Sequence, residues 1–232
     1  MCKVIGIDIS KQTFDVCIRK EQKLIHLIFE NNPKGFKKFL KKITLDTDFV
    51  VMEASGPYYV RLASFLFKSN VVVSVVNPLI IKRFSQMKFY RAKTDKKDAS
   101  IIMEYGETEF SNLRVWQPES KEVLQLKQLH SSIELLRKQI SQSSNQLEAF
   151  NSSGLIDPTV KKCLEKGIKQ LTKNVELLES VMLKICEDYY TESLSLLTSI
   201  PSIGNKTAIQ LIALTDNFKK FEHHKQLIAY VG

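Results

Sequence analysis

Three strand-like stretches, KVIGIDIS, TFDVCIRK and KLIHLIFE, follow one another between Lys3 and Glu30, separated only by polar turns around Lys11-Gln12 and Glu21-Gln22. Connections that short suit antiparallel neighbours, so the chain begins with a three-stranded meander. NPKGFKKFLKKI then carries Phe36, Phe39, Leu40 and Ile43 at helical spacing, with Asn32 and Pro33 as the start signal. DFVVMEA reads as a short apolar strand, YYVRLASFLFKSN as an amphipathic helix, and VVVSVV as the continuous apolar run of a strand buried inside a sheet. The resulting order, three strands, helix, strand, helix, strand, predicts an α/β fold: a mixed sheet with flanking helices.

After Asn77-Pro78 comes a basic, partly helical region, LIIKRFSQMKFYRAKTDKKDASIIMEYGE, whose second half from Asp95 onward reads as a helix closing the first domain. From Pro118 the pattern changes. Leu126, Leu129, Ile133, Leu136, Ile140 and Leu147 form the apolar seam of a long helix, and NSSGLIDP breaks it. A second seam runs through Val160, Leu164, Ile168, Leu171, Val175, Leu178, Met182, Ile185 and Tyr189. Two such segments pair as a long antiparallel helical hairpin or coiled coil. The last stretch, SIPSIGNKTAIQLIALTDNFKKFEHHKQLIAYVG, is a loop with Pro201 and Gly204 feeding two helices. The expected domains are 1–115 (α/β), 116–195 (helical arm) and 196–232 (the beginning of a helical C-terminal domain, incomplete as it stands).

At 232 residues the chain has room for a substantial core, and its hydrophobic share of 44% with 25% charged residues excludes global disorder. A formal charge of +9 favours a polyanionic partner, nucleic acid first, although basicity alone also serves solubility. Cys2, Cys17, Cys163 and Cys186 are scattered without C-x-x-C or nearby histidines, which reads as reduced thiols rather than zinc ligands or disulfides. No signal peptide or run long enough to span a bilayer is visible, so a cytoplasmic protein without a membrane partner is expected.

Two acids stand where acids are expensive. Asp8 interrupts the apolar strand VIGIDIS, and Glu53 ends FVVMEA just before Ser55-Gly56-Pro57. If these strands lie side by side the two carboxylates converge, and a hard divalent cation would relieve their repulsion. KTDKKDAS adds Asp95 and Asp98, three apart and on one face near a helix start. An all-oxygen set of Asp8, Glu53, Asp95 and Asp98 suits Mg²⁺ or Mn²⁺ rather than zinc. The residues leave a second reading open, in which Asp95 and Asp98 are merely favourable charges at a helix N-terminus.

Around these acids lie Lys11, Lys82, Arg83, Lys88, Tyr90, Arg91, Lys93, Lys96 and Lys97, a basic stretch with Phe89 and Tyr90 interleaved. Phosphate neutralisation combined with base stacking would place nucleic acid beside the metal. His223 and His224 lack partner ligands at useful spacing and read as surface residues. Ser10 and Ser55 have no base fixed beside them in sequence, so neither is read as a nucleophile.

GIDISKQTFDVCI, MEASGPYY, KTDKKDA and the C-terminal IPSIGNKTAIQLIALTDNFKKFEHHKQLIAYVG resemble, in order and spacing, the transposases of the insertion-sequence family IS one-ten, whose relatives include the Piv DNA invertases and bridge-RNA-guided recombinases. The resemblance spans essentially the whole chain. It implies a RuvC-like, ribonuclease-H-like fold with a D-E-D-D tetrad carried by Asp8, Glu53, Asp95 and Asp98. It also implies a coiled-coil arm used in dimerisation and RNA handling, and so a homo-dimer or tetramer, here through residues of roughly 119–195. IPSIGNKTAIQL resembles a helix-hairpin-helix-like beginning of the family's second domain, which makes Gly204, Lys206 and Thr207 candidate nucleic-acid contacts. The family's attacking serine lies downstream of the element seen here as Tyr230-Val231-Gly232, and Ser199 and Ser202 do not match its motif. The expectation is therefore a truncated copy, or a chain that needs a partner to complete the site and is inactive alone.

The expected function is metal-dependent DNA strand cleavage and rejoining during transposition, guided by a bridge RNA. A RuvC-type hydrolytic junction nuclease, which needs no serine, is the first alternative. A non-catalytic nucleic-acid-binding remnant is the second.

Overall fold

The computed structural model describes residues 3–21, 23–44, 48–88, 95–219, 221 and 223–231, with the side chains of Asp95, Lys96, Tyr230 and Val231 outside that description. The chain divides into two compact units, Met1–Pro118 and Glu119–Gly232.

In the first unit five strands, β1 (Lys3–Ile9), β2 (Thr13–Lys20), β3 (Lys23–Glu30), β4 (Asp48–Glu53) and β5 (Val72–Val76), form one sheet in the order β3-β2-β1-β4-β5. The meander β1-β2-β3 is antiparallel, while β4 pairs parallel to both β1 and β5. Helices α1 (Pro33–Leu40), α2 (Tyr59–Lys68), α3 (Pro78–Met87) and α4 (Asp95–Thr108) complete the unit. This is the mixed sheet with flanking helices that the strand and helix patterns predict.

Strand alternation assigns the two faces. Ile5, Ile7, Phe14, Val16, Val50 and Met52 pack with Phe36 and Phe39 of α1 and Leu62 and Leu66 of α2. Phe14 lies at the middle of that layer, its ring 5.4 Å from Phe29 and 5.6 Å from Phe39. The residues between them in sequence, Val4, Cys17, Phe49, Val51 and Val76, pack with Ile81 and Phe84 of α3 and Ala99, Ile102 and Met103 of α4. Local signals start the helices: Asn32 accepts from the amides of Lys34 (3.0 Å) and Gly35 (2.9 Å), and Asn77 from that of Leu79 (2.8 Å), each just before a proline.

The second unit contains α5 (Lys121–Ser152), α6 (Pro158–Tyr189), α7 (Thr191–Thr198), α8 (Asn205–Thr215) and α9 (His224–Val231). Ser120, the cap of α5, meets the Tyr190 hydroxyl at 3.1 Å, so α5 and α6 run antiparallel as a hairpin. Gly154, at φ 79°, makes the turn, and Asp157 caps α6 through the amides of Thr159 and Val160. Leu126, Ile133, Val175, Met182 and Cys186 of the hairpin share one cluster with Leu194, Ala208, Ile209, Ile212 and Ala213. The second seam differs from expectation at its ends: Tyr189 is 63% exposed and Val160 41% exposed, while Cys186 is fully buried. A helix of 3.6 residues per turn drifts away from a seven-residue repeat, so the buried stripe passes from Met182 to Cys186. Burial pushes the Cys186 thiol up to about 11. Among the described residues no helix is long and apolar enough to cross a membrane.

Candidate metal and nucleic-acid site

Helix α4 lies directly on the sheet because two glycines let it. A Cβ on Gly6 of β1 would stand 2.2 Å from the Ala99 carbonyl oxygen and 2.4 Å from the Met103 amide nitrogen. One on Gly106 would stand 2.7 Å from methyls of Val4 and Val51. Gly6 therefore underlies Ala99 and Met103, whereas Val4 underlies Gly106, which makes α4 run opposite to β1. Its first turn, bearing Asp95 and Asp98, is consequently at the end where β1 and β4 finish.

Asp8 and Glu53 are at that same end. Parallel pairing matches Ile7 with Met52, so the next residues, Asp8 and Glu53, stand level on adjacent strands. Asp8 follows Val4 and Gly6 by twos, and Glu53 follows Phe49 and Val51, which puts both on the face covered by α4. Both are half-buried, as is Asp98, one position before Ala99. Glu53 Oε1 accepts from the Ser55 hydroxyl at 3.0 Å. The Asp95 side chain lies outside the described residues. Among the described residues, no three of His, Cys, Asp and Glu stand close enough to hold a metal ion without movement.

The donor chemistry fits a hard divalent ion. Two carboxylates on neighbouring strands, roughly 5 Å apart by sheet spacing, repel by ~3 kcal/mol at an effective dielectric of ~20. A cation between them reverses that sign, and all-oxygen donors select Mg²⁺ or Mn²⁺ over zinc.

Asn31 ties together the loops that follow both acids. Its amide nitrogen donates to the Ser10 carbonyl at 2.8 Å, in the turn after β1, and to the Tyr58 carbonyl at 3.3 Å, in the loop after β4. Its own Oδ1 is buried with no hydrogen-bond partner among the described residues.

Of the basic residues, Lys11 is exposed in the turn after β1, Lys82 and Arg83 are exposed on α3, and Lys97 is exposed on α4. Lys88 is engaged: its Nζ lies 3.1 Å from Glu104 and 5.5 Å from the centre of the Phe84 ring. Tyr90, Arg91 and Lys93, and the side chain of Lys96, lie outside the described residues. In the second unit Gly204 is the cap residue of α8, and Lys206 and Thr207 are exposed in its first turn. Lys206 pairs with Glu179 at 2.9 Å, and Arg137 pairs with the same carboxylate at 2.6 Å. Burial raises the Glu179 carboxyl, but the hydrogen bonds and charges of Lys206 and Arg137 outweigh it, so the group is held below the ordinary carboxylate value. His223 and His224 are exposed, as expected.

Sequence reading missed one acid. Asp15 of β2 is the ladder partner of Asp8, shares the α4 face with Cys17 two residues on, and is half-buried. The signal was present in TFDVCIRK, a carboxylate inside an apolar strand, but only the register places it beside Asp8. Farther along the same face Arg19 donates to both carboxylate oxygens of Glu107, at 2.9 and 3.0 Å, locking the far end of α4 to β2.

Residues 5–150 match a family with DEDD in its name, described as a transposase, and residues 194–232 match the transposase IS116/IS110/IS902 family. The pilin gene-inverting protein of Moraxella bovis is 30% identical over 235 residues, covering 98% of this chain and 70% of that protein. Its namesake from Moraxella lacunata is equally similar, 30% over the same span. Among solved structures, RuvC of T. thermophilus in complex with a Holliday junction substrate superposes with a TM-score of 0.38 at 11% identity, over 50% of this chain and 100% of that one. RuvC of Thermus thermophilus in a second structure gives 0.33 at 12% identity, over 49% and 99%. The first match covers more than half of the chain, and the relatives align along nearly all of it. The chain belongs to the IS110-type transposases and recombinases, with the pilin-gene invertases among its relatives.

Proposed function

We propose that the first unit is the metal-binding half of a DNA strand-transfer site, with Asp8, Glu53, Asp95 and Asp98 holding Mg²⁺ or Mn²⁺. The observation that carries this reading is the coincidence of two half-buried acids, level on adjacent parallel strands, with the acid-bearing first turn of α4 at the same sheet end. A bound ion would polarise the scissile phosphate and stabilise the leaving oxygen. The chain's own residues do the rest. Asp8 and Glu53 supply fixed negative donors on rigid strands, Ser55 orients the Glu53 carboxylate, and Asn31 holds the two flanking loops in one arrangement. Lys11, Lys82, Arg83 and Lys97, exposed in the same unit as the acids, supply positive charge for the DNA backbone.

The substrate is DNA, cleaved and rejoined in transposition or inversion. A structured guide RNA is assigned to the helical arm and to the first turn of α8, where Gly204, Lys206 and Thr207 sit, and the arm is also the surface for a homo-dimer or tetramer. The protein works in the cytoplasm. The test is incubation with branched and linear DNA in Mg²⁺, with and without RNA that co-purifies with the chain. Cleavage that depends on both Mg²⁺ and Glu53 supports the reading. Hydrolysis independent of RNA moves the assignment to a junction nuclease, and binding without any cleavage dependence on Glu53 moves it to a non-catalytic remnant.

A further inference from the structure

Three helices of the second unit enclose a cleft of about 350 Å³. Helix α5 contributes His130, Ile133 and Arg137, whose spacings of three and four put them on one face. Helix α6 contributes Glu176 with Glu179 and Ser180, three and four residues on, and the buried Met182. Helix α8 contributes Lys206 and the buried Ile209. The three buried apolar side chains supply a floor, and the charged groups supply a rim. We propose that this cleft receives one unpaired base of a nucleic-acid strand, with the neighbouring phosphate on Lys206. The inference rests on the assignment of nucleic acid to the arm and to α8 made above, and narrows it to one pocket and one ligand.

Size restricts the occupant. Sites for small molecules run from roughly 300 to 1,000 Å³, so this cleft takes a single heterocycle and excludes a base pair carried on two backbones. A splayed base from a loop, bulge or single strand can enter it. Chemistry restricts the occupant further. Arg137 and Lys206 balance Glu176 and Glu179 in formal charge, which gives an isolated anion no advantage, whereas a neutral heterocycle edged with donors and acceptors matches the mixture. Arg137 is held by its edge, through Nη1 to Glu134 at 3.1 Å and through Nη2 to Glu179 at 2.6 Å. The flat faces of its guanidinium are thereby left for stacking, and His130 offers a second flat group two turns away on the same helix. Glu179 also holds Lys206 at 2.9 Å, so both cations are in place before a strand arrives. Lys206 remains 71% exposed, as a contact to backbone phosphate requires. Glu176 is exposed and makes no ion pair among the described residues, which leaves its carboxylate to accept from a base amino group.

The experiment is fluorescence anisotropy on the whole chain with four labelled probes: a short single-stranded RNA, the same sequence as DNA, the blunt duplex, and an abasic strand of equal charge. Ser180→Phe fills the cleft from its exposed rim, and Glu176→Ala removes the acceptor. Each is expected to weaken binding of the RNA or DNA single strand about tenfold, without weakening binding of the duplex or the abasic strand. The sign of the Glu176→Ala effect is diagnostic, because purely electrostatic contact tightens when a negative charge is removed. Tighter or unchanged single-strand binding in Glu176→Ala overturns the inference, as does unchanged binding in a folded Ser180→Phe; if Lys206→Ala still weakens binding, the assignment to α8 survives. Binding unaffected by Lys206→Ala means that the α8 assignment has failed, and the pocket with it. Adenosine monophosphate is added as a competitor, and a free nucleotide that binds as tightly as the strand also overturns the inference. Thermal melts establish that each variant folds, and should Ser180→Phe fail to fold, Glu176→Ala, at an exposed position, decides alone.

Discussion

Gly6 and Ala99 touch backbone to backbone: a methyl added at Gly6 would lie 2.2 Å from the Ala99 carbonyl oxygen. That contact fixes how closely α4 approaches β1, and with it how close Asp98 comes to the strand that carries Asp8. Gly6→Ala must lift α4 from the sheet, because a carbonyl in a helix cannot move aside as a side chain can. The expected cost is at least ~3 kcal/mol, the upper part of the overpacking range, read as a lower denaturation midpoint with weakened metal binding. The nearest atoms that Gly106→Ala meets belong to the side chains of Val4 and Val51, methyls at 2.7 Å, and it should cost less.

Phe14 is fully buried among Phe29, Phe36 and Phe39. Phe14→Ala should destabilise the first unit by roughly 3–5 kcal/mol. Chemical denaturation followed by near-ultraviolet circular dichroism checks this, and a loss under 1 kcal/mol would show that the aromatic layer is not a packed core.

The fold was legible because apolar runs and helical spacing were clear from Lys3 to Val76, polar residues marking the two hairpin turns and prolines the helix starts. Asp8 and Glu53 stood out for the same reason: an acid in an apolar strand is conspicuous without any neighbour. Asp15 was not singled out, since its meaning depends on which residue faces it, and register is a property of the pairing rather than of the strand. The exposure of Tyr189 was equally illegible, because a sequence seam does not disclose where a straight helix drifts off it. The pairing of Lys206 and Arg137 with Glu179 likewise depends on where α8 packs against the hairpin.

Glu179 gives the second unit a pH dependence of defined sign. Its folded-state value lies below the ordinary 4.5, so its contribution to stability is full above that pH and is lost as pH falls through the lower folded value. Glu179→Gln should therefore lower the melting temperature at neutral pH. The difference from wild type should shrink below pH 4.5 and vanish once the carboxyl is protonated in both states. A difference that stays constant across that range would remove the ion pairs as its cause.

Lys82 and Arg83 are exposed on α3 in the unit that carries the acids. Replacing either by alanine should weaken DNA binding uniformly across sequences and reduce the slope of log affinity against log salt by about 1. Fluorescence anisotropy at several salt concentrations reads both. An unchanged slope would place the DNA elsewhere on the protein.

The most direct test of the whole account is calorimetric titration of Mn²⁺ into the wild-type chain and into Asp8→Ala. Saturable binding is expected in the first and a loss of at least ~100-fold in the second. Equal isotherms from two folded proteins would contradict it.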